Sequence, residues 1–395
     1  MAYTKDEFKQ LVDDIQSQSW YRNPIGFGIA RVDRGQINKD KILQATFPLI
    51  NWNENFGSAA VLLNALKVAG ENLDTSKSEL VCKISDAFLT SCIEAFRPFI
   101  PEAKGDAHKN VQVISTLASL PIDSGLTAED YRVVFIFEDA APESTEAVYL
   151  KLYALSTGKA ALRSLNLNGA FGKLHNCAWV GNQPIELDWL RANEIVLKLS
   201  GKYPNIDFVD KFPRLLQHVI LADNTRILDS GKVRMGAQLA AGTTVMPGAA
   251  YINFNAGTLG SVMVEGRISS SAVVGAGSDV GGGASILGVL SGTDGVPVTI
   301  GENTLLGANS CTGTAIGDGC ILDAGVTILP GTKIALSDKA VEQLKAINPG
   351  KEISNVMKGS DFQGVNGVHF RVNSSTGQTI AMRSTREVKL NADLH

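Results

Sequence analysis

The chain has 395 residues, of which 44% are hydrophobic and 19% charged, and carries a formal net charge of −4. That length suits more than one domain and a well-buried core, while the balance of charge offers no basic footprint for nucleic acid or an anionic membrane. The opening MAYTKDEFKQLVDDIQSQSW lacks the basic and apolar regions of a secretion signal, and no apolar run long enough to span a bilayer follows, so the cytoplasm is the expected compartment.

In chain order, Lys5 to Ser17 places Phe8, Leu11, Val12 and Ile15 at helical spacing. Residues 60–70 and 83–96 read as two further helices, ended by Gly70 and Pro98. Together they predict a mostly helical region over 1–110. Residues 111–228 read as α/β: Val111 to Ile114, Arg132 to Phe137 and Ala147 to Leu155 as strand or strand-helix material, and Gly158 to Asn168 as a helix. Ile185 to Leu187 then reads as a strand, Trp189 to Leu199 as a polar helix, and His218 to Ala222 as an apolar run.

From 229 to 335 an aliphatic residue recurs every six positions: Val233, Leu239, Val245; Val262, Ile268, Val274, Val280, Ile286; Ile300, Leu306; Ile316, Leu322, Ile328, Ile334. No helix, alternating strand or heptad has that period. It is the signature of a parallel β-helix, whose coils stack to bury one another's apolar faces. Small residues such as Ala237, Thr243, Ala272, Ser278 and Ala284 follow four places behind, and glycines recur in phase at the expected turns. The register slips between Tyr251 and Val262, between Ile286 and Ile300, and between Leu306 and Ile316; such slips throw out loops, where function collects. From 336 to 395, Leu336 to Ala346 predicts a helix able to cap the open end, and Asp361 to Thr379 a strand-turn-strand tail with its turn at Asn373 to Gly377.

The five cysteines (Cys82, Cys92, Cys177, Cys311, Cys320) are odd in number and scattered, which disfavours a disulfide framework or zinc cage. Cys311 and Cys320 fall within the repeats and read as small core or corner residues. Histidine is absent from 219 to 368, which argues against imidazole-held metal between coils. Polar residues exceed what stacking requires in three places: Asn253 to Thr258, Met263 to Ser269, and the glycine-rich Ser278 to Ser285. Glu265 and Arg267 are two apart, so an extended backbone points them to one side, either as a surface ion pair or as a functional acid and cation.

The run from Arg234 to Gly292, which contains NFNAGT, VEGRIS and GSDVGGGAS, together with the later LLGAN and NGVHFRVNSSTG, resembles the longer-chain tetrahydrodipicolinate N-succinyltransferases of bacteria over about Val233 to Gly377. The first half resembles them only in position and mixed α/β character. The resemblance implies a left-handed parallel β-helix, a homotrimer with sites between subunits, succinyl-CoA as cosubstrate and no permanently bound cofactor. It further implies succinyl transfer to the amine of ring-opened tetrahydrodipicolinate in lysine and diaminopimelate synthesis, giving N-succinyl-2-amino-6-ketopimelate and CoA. Glu265 matches the family's proposed catalytic carboxylate, acting by an acyl anhydride or as general base. Arg267 matches a carboxylate-binding residue. Gly282, Ser285 and Ala308 match the acyl-CoA groove, and Asp323 and Ala324 a pair usually Glu-Ala. Because the substrate has two carboxylates, Asn253, Asn255, Ser269 and Arg371 join Arg267 as expected clamps, with His369 beside Arg371 closing over CoA. Relatives that hold magnesium use acidic residues where this chain has Lys232 and Ala249, so no metal site carries over. Two other readings stand beside this one: a hexapeptide transferase with an acetyl donor, and a non-catalytic β-solenoid subunit in which Glu265 has no role. A nucleotidyltransferase is disfavoured by the lack of a glycine-rich nucleotide loop.

Overall fold

The computed structural model describes residues 4–120, 127–289, 293, 295–386, 388 and 390. It divides into two compact units, one of residues 1–154 and 165–213, the other of residues 155–164 and 214–395.

The first unit is built on an antiparallel sheet in the order Ile42–Thr46, Gly26–Arg34, Tyr131–Ile136, Glu79–Lys83, with Ile50–Trp52 also paired to Gly26–Arg34. Helices Lys5–Gln16, Phe56–Val68, Asp86–Phe96, Lys109–Ser119 and Thr145–Ser156 accompany it. Three expectations need correction. The strands between residues 26 and 52 go unpredicted, because Gly26–Arg34 is central and buried along most of its length, which erases the alternation that marks a half-exposed strand. Val111 and Ile114 are the buried residues of a helix, three apart on one face. Ala147 to Leu155 is helical too; Ala147 through Leu150, Leu152 and Tyr153 are all buried, so the helix has no polar face to reveal its period. A small antiparallel sheet of Gln183–Glu186, Cys177–Val180 and Phe208–Asp210 completes the unit with helix Leu187–Leu199.

The second unit is a parallel β-helix with three sheets. In the first, Thr244–Val245, Met263–Val264, Asp279–Val280, Leu305–Leu306 and Ile321–Leu322 stack in parallel register. The second stacks Tyr251–Ile252, Arg267–Ile268, Ser285–Ile286, Cys311–Thr312 and Thr327–Ile328. The third stacks Gly257–Thr258, Val273–Val274 and Thr299–Ile300. Every hexad aliphatic but Leu239 is at most 3% exposed, and Leu239 packs against the same core. The strand pairing departs from the expected hexad register at Val262. Val264, not Val262, lies over Val280, while Val262 is buried two residues earlier, so the chain reaches Ile268 by a corner shortened to Glu265, Gly266 and Arg267. Gly266 makes that corner possible, since a Cβ there would lie 2.3 Å from the Ala284 carbonyl oxygen. The slip between Ile286 and Ile300 is a longer excursion; its residues 290–292 and 294 lie outside the described residues.

Gly158 to Asn168, expected as a helix, is irregular. Arg163 takes a left-handed φ of 69° there and is fixed by its own bonds: its backbone N–H donates to Asn255 Oδ1 (2.8 Å), Nε to Ser271 O (2.6 Å), Nη1 to Thr299 Oγ1 (2.8 Å) and Nη2 to Val298 O (2.5 Å). Below the last coil, helix Asp338–Ile347 adds Ala340 and Leu344 to the solenoid core, as its capping role requires. The tail forms a hairpin about the expected turn, Val368–Val372 with Thr379–Arg383, its second strand lying past the expected 361–379, and Val368–Val372 continues the first sheet beneath Ile321–Leu322.

Candidate active site

The corner joining the first sheet to the second repeats from coil to coil. Directly after the first-sheet strands come Glu265, Gly281, Gly307 and Asp323, whose N–H groups donate to the next rung at Val280, Leu306, Leu322 and Phe370. These four residues therefore form one column, and Arg371 follows Phe370 at its foot. At about 4.8 Å per rung, Glu265 and Asp323 stand roughly 14 Å apart, with two glycines between them.

Beside that column runs another of Gly282, Ala308 and Ala324. Ala308 and Ala324 are exposed and Gly282 is half-buried. Their N–H groups donate to no backbone carbonyl among the described residues, although the flanking N–H groups of Gly281, Gly283, Gly307, Asn309 and Gly325 all do. The result is a strip of open backbone donors with no side chain larger than a methyl. Its upper end meets Glu265, whose carboxylate leans over Gly282: a Cβ built on Gly282 would sit 3.4 Å from Glu265 Oε2. At its lower end Asp323 Oδ1 lies 2.7 Å from His369 Nε2, and Asp323 Oδ2 lies 3.6 Å from Arg371 Nε. The hairpin thus delivers two further polar side chains to the column that Glu265 begins.

Glu265 and Arg267 do not share a side. The chain turns between them, leaving Glu265 at the corner and Arg267 on the outer surface of the second sheet. There Arg267 donates from Nε and Nη2 to Ser285 Oγ, at 3.1 and 2.6 Å, and Ser285 pairs with Cys311 on the next rung. Burial raises the Cys311 thiol above its ordinary range while the Arg267 charge opposes the shift, so Cys311 rests as a neutral thiol. Cys320 is fully buried and pushed up to about 11, and its sulfur accepts from the Val368 N–H.

Asn253 and Ser269 follow the second-sheet strands on successive rungs. Asn253 Oδ1 accepts from Arg234 Nη1 at 3.2 Å and from the Phe254 N–H at 2.9 Å. Asn255 has a left-handed φ of 55° and its Oδ1 receives the Arg163 N–H, a contact internal to the fold. Arg163 lies outside the repeats, and Arg234, although it directly follows the hexad residue Val233, stands in no motif that marks it; only the turn geometry brings them in. Among the described residues no group of three His, Cys, Asp or Glu side chains is arranged to hold a metal ion, and no helix is long and apolar enough to cross a membrane.

Comparison with known proteins covers both units. Family models described as the N-terminal and middle regions of tetrahydrodipicolinate N-succinyltransferase match residues 6–172 and 174–214, and one described as a hexapeptide repeat of succinyl-transferase matches 297–330. The chain is 67% identical over 392 residues to the 2,3,4,5-tetrahydropyridine-2,6-dicarboxylate N-succinyltransferase of Sulfurovum sp. (strain NBC37-1), spanning 99% of this chain and 98% of that one. It is 53% identical to the protein of the same name from Campylobacter jejuni, over the full length of both. A crystal structure from Campylobacter jejuni, described as a 2,3,4,5-tetrahydropyridine-2-carboxylate N-succinyltransferase, superposes with a TM-score of 0.92 at 52% identity, covering 98% of this chain and all of the other. The first half, whose sequence alone shows only a general likeness, is thereby matched as fully as the repeats, and the chain belongs to the tetrahydrodipicolinate N-succinyltransferase family.

Proposed function

We infer that the chain transfers the succinyl group of succinyl-CoA to the amine of ring-opened tetrahydrodipicolinate, releasing CoA, in diaminopimelate and lysine synthesis. The observation that carries the residue assignment is the strip of open N–H groups at Gly282, Ala308 and Ala324 with a carboxylate at its head. The pantetheine arm of CoA carries amide carbonyls that need donors and has no bulk to spare, and a wall of bare backbone suits it. Asp323, His369 and Arg371 flank the far end. With the thioester at the upper end, Glu265 acts as general base: it accepts the proton released as the amine nitrogen bonds to the thioester carbon. The carbonyl oxygen gains charge, the Gly282 N–H is placed to donate to it, and the C–S bond then breaks with CoA leaving as thiolate. Ser285 orients Arg267 toward substrate carboxylate, with Ser269 on the neighbouring corner. A left-handed coil, a homotrimer with sites completed by neighbouring subunits and a cytoplasmic location belong to the same proposal.

Thiol release by purified protein tests the reading, with tetrahydrodipicolinate and either succinyl-CoA or acetyl-CoA as donor. Turnover with succinyl-CoA that collapses in Glu265→Ala is expected; preference for acetyl-CoA, or full activity in the variant, overturns it. A protein that gains the mass of one succinyl group on incubation with succinyl-CoA alone would replace the general base by an acyl-enzyme. Size measurement should give roughly 126 kDa for three chains of 42.0 kDa.

A further inference from the structure

We propose that Cys311 is a positioning residue for the carboxylate that Arg267 receives: its sulfur takes the Ser285 hydroxyl proton, which turns that hydroxyl's lone pairs onto the guanidinium. The inference rests on the transfer reading above and extends it to a thiol that itself touches no substrate.

The geometry comes from three successive rungs of the second sheet. Arg267 is the ladder partner of Ser285, and Ser285 of Cys311. The second residue of each of these strands, Ile268, Ile286 and Thr312, is fully buried, so the first points outward, and outward neighbours on parallel rungs stand about 4.8 Å apart. Ser285 therefore lies between the guanidinium and the thiol. A serine hydroxyl has two lone pairs and one proton. Arg267 Nε and Nη2 both donate to Ser285 Oγ, at 3.1 and 2.6 Å, which occupies its lone-pair side. The proton has to point away from those cationic donors, and no oxygen among the described residues accepts it. The next side chain along the column is the half-buried Cys311, whose sulfur is a weak acceptor. The thiol registers both neighbours: burial raises its pKa, and the Arg267 charge and the Ser285 hydroxyl oppose the rise.

The chemistry of residue 311 matters because of charge. Arg267 is exposed and makes no ion pair among the described residues, so its positive charge stays available to an incoming carboxylate. An acidic side chain at 311 would bring a competing negative charge into the column, whereas a neutral sulfur supplies an acceptor without one. A hydroxyl free to rotate no longer presents both lone pairs, and the long arginine side chain regains rotamer freedom that binding must then remove. The carboxylate belongs either to the succinyl group or to the acyl acceptor, since both carry one.

Kinetics of wild type, Cys311→Ser, Cys311→Ala, Ser285→Ala and the Ser285→Ala/Cys311→Ala double variant test the assignment. Two substrate pairs differ by one carboxylate: 2-aminopimelate against 2-aminoheptanoate with succinyl-CoA as donor, and succinyl-CoA against butyryl-CoA with tetrahydrodipicolinate as acceptor. In Cys311→Ala the wild-type preference for the carboxylate-bearing member of one pair should shrink about 3- to 10-fold, the range of one neutral hydrogen bond, with the other pair within about twofold. Whichever pair responds names the source of the carboxylate. Cys311→Ser, which keeps an acceptor, should stay within about twofold of wild type in both pairs. On the Ser285→Ala background, Cys311→Ala should cost no further preference, because the thiol acts through the hydroxyl. A double variant that loses clearly more preference than Ser285→Ala alone defeats the proposal. So does undiminished preference in Cys311→Ala, which is what a merely structural defect would leave while lowering kcat for every substrate alike. Calorimetric affinities of pimelate and succinate give the same cycle without turnover. Wild-type protein inert toward every amine would count against the transfer reading, while an affinity that falls in Cys311→Ala and no further in the double variant would still uphold the role of the thiol. Should the Ser285 variants fail to fold, the contrast between Cys311→Ala and Cys311→Ser decides.

Discussion

Two corners of the same solenoid treat their backbone differently. Where the third sheet meets the first, polar side chains tie rung to rung: Ser278 Oγ donates to Gly301 O, Thr304 Oγ1 to Gly317 O, Asp318 Oδ1 receives the Glu302 N–H, and Asn366 Oδ1 receives the Asp318 N–H. On the upper rungs of that corner the second-position N–H groups of Gly260 and Ala276 donate to nothing among the described residues, so the ties belong to Glu302 and Asp318; where the first sheet meets the second, all three second-position N–H groups, those of Gly282, Ala308 and Ala324, are left open, and the buried Ser310 hydroxyl has no partner among the described residues. Polar groups in the first corner are spent on stacking. In the second they stay open at exposed Ala308 and Ala324 and at half-buried Gly282, where solvent or a ligand can reach them.

The sharpest way to break that contrast is at the head of the open strip. Glu265→Gln keeps the shape and removes the base, so kcat should fall about 10²- to 10⁴-fold, the usual contribution of a positioned proton acceptor, while the melting temperature stays within a degree or two of wild type. Turnover measured on protein of verified fold decides it. A large loss of stability would mean that the carboxylate holds the corner rather than the chemistry.

The walls should show the converse. Leu306→Ala removes a side chain that is 1% exposed in the column between Val280 and Leu322, and should cost about 2–5 kcal/mol of stability without changing KM for the folded fraction. Gly281→Ala should destabilise by about 1–3 kcal/mol, because its Cβ would lie 2.6 Å from the Leu306 carbonyl oxygen. Denaturant unfolding reads both.

These differences mark how far the sequence is legible. The six-residue period exposes the aliphatic columns because burial demands them, and Val262 is misread as the in-phase residue only because Val262 and Val264 are both inward. The first unit is less legible. Helix Thr145–Ser156 is apolar nearly all round, and of its two buried ionisable side chains, Glu146 and Lys151, the lysine is neutralised by Asp139 Oδ1 at 2.7 Å and bonded to the carbonyls of Ala140 and Asn166. Contacts that hide a side chain also hide its period. At the site, Glu265, Asp323 and Arg371 are visible by family likeness, but that one column joins them follows from coils of unequal length, which no residue count along the chain displays.

At the foot of the strip the effect should be smaller. Asp323→Asn removes the charge that faces both His369 and Arg371. With the Asp323 side chain 39% exposed, the stability change should be within about 1 kcal/mol. If these groups meet the CoA end of the donor, KM for succinyl-CoA should rise about 3- to 10-fold with kcat nearly unchanged. An unaltered KM would confine the pair to anchoring the hairpin.

The smallest change makes the finest distinction. Gly281 and Gly282 are neighbours in the same corner, yet a methyl on Gly282 meets only Glu265 Oε2, at an ordinary 3.4 Å, and Gly282 does not require a left-handed backbone. Gly282→Ala should therefore leave stability within about 0.5 kcal/mol, in contrast to Gly281→Ala. What the methyl does occupy is the space beside the carboxylate where the thioester has to lie. A few-fold rise in KM for succinyl-CoA, larger than any change in unfolding midpoint, is the expected outcome, measured by the same thiol-release assay. If Gly282→Ala destabilises as much as Gly281→Ala while leaving KM alone, then the bare strip serves close packing of the coils, and the difference between the two corners has no functional content.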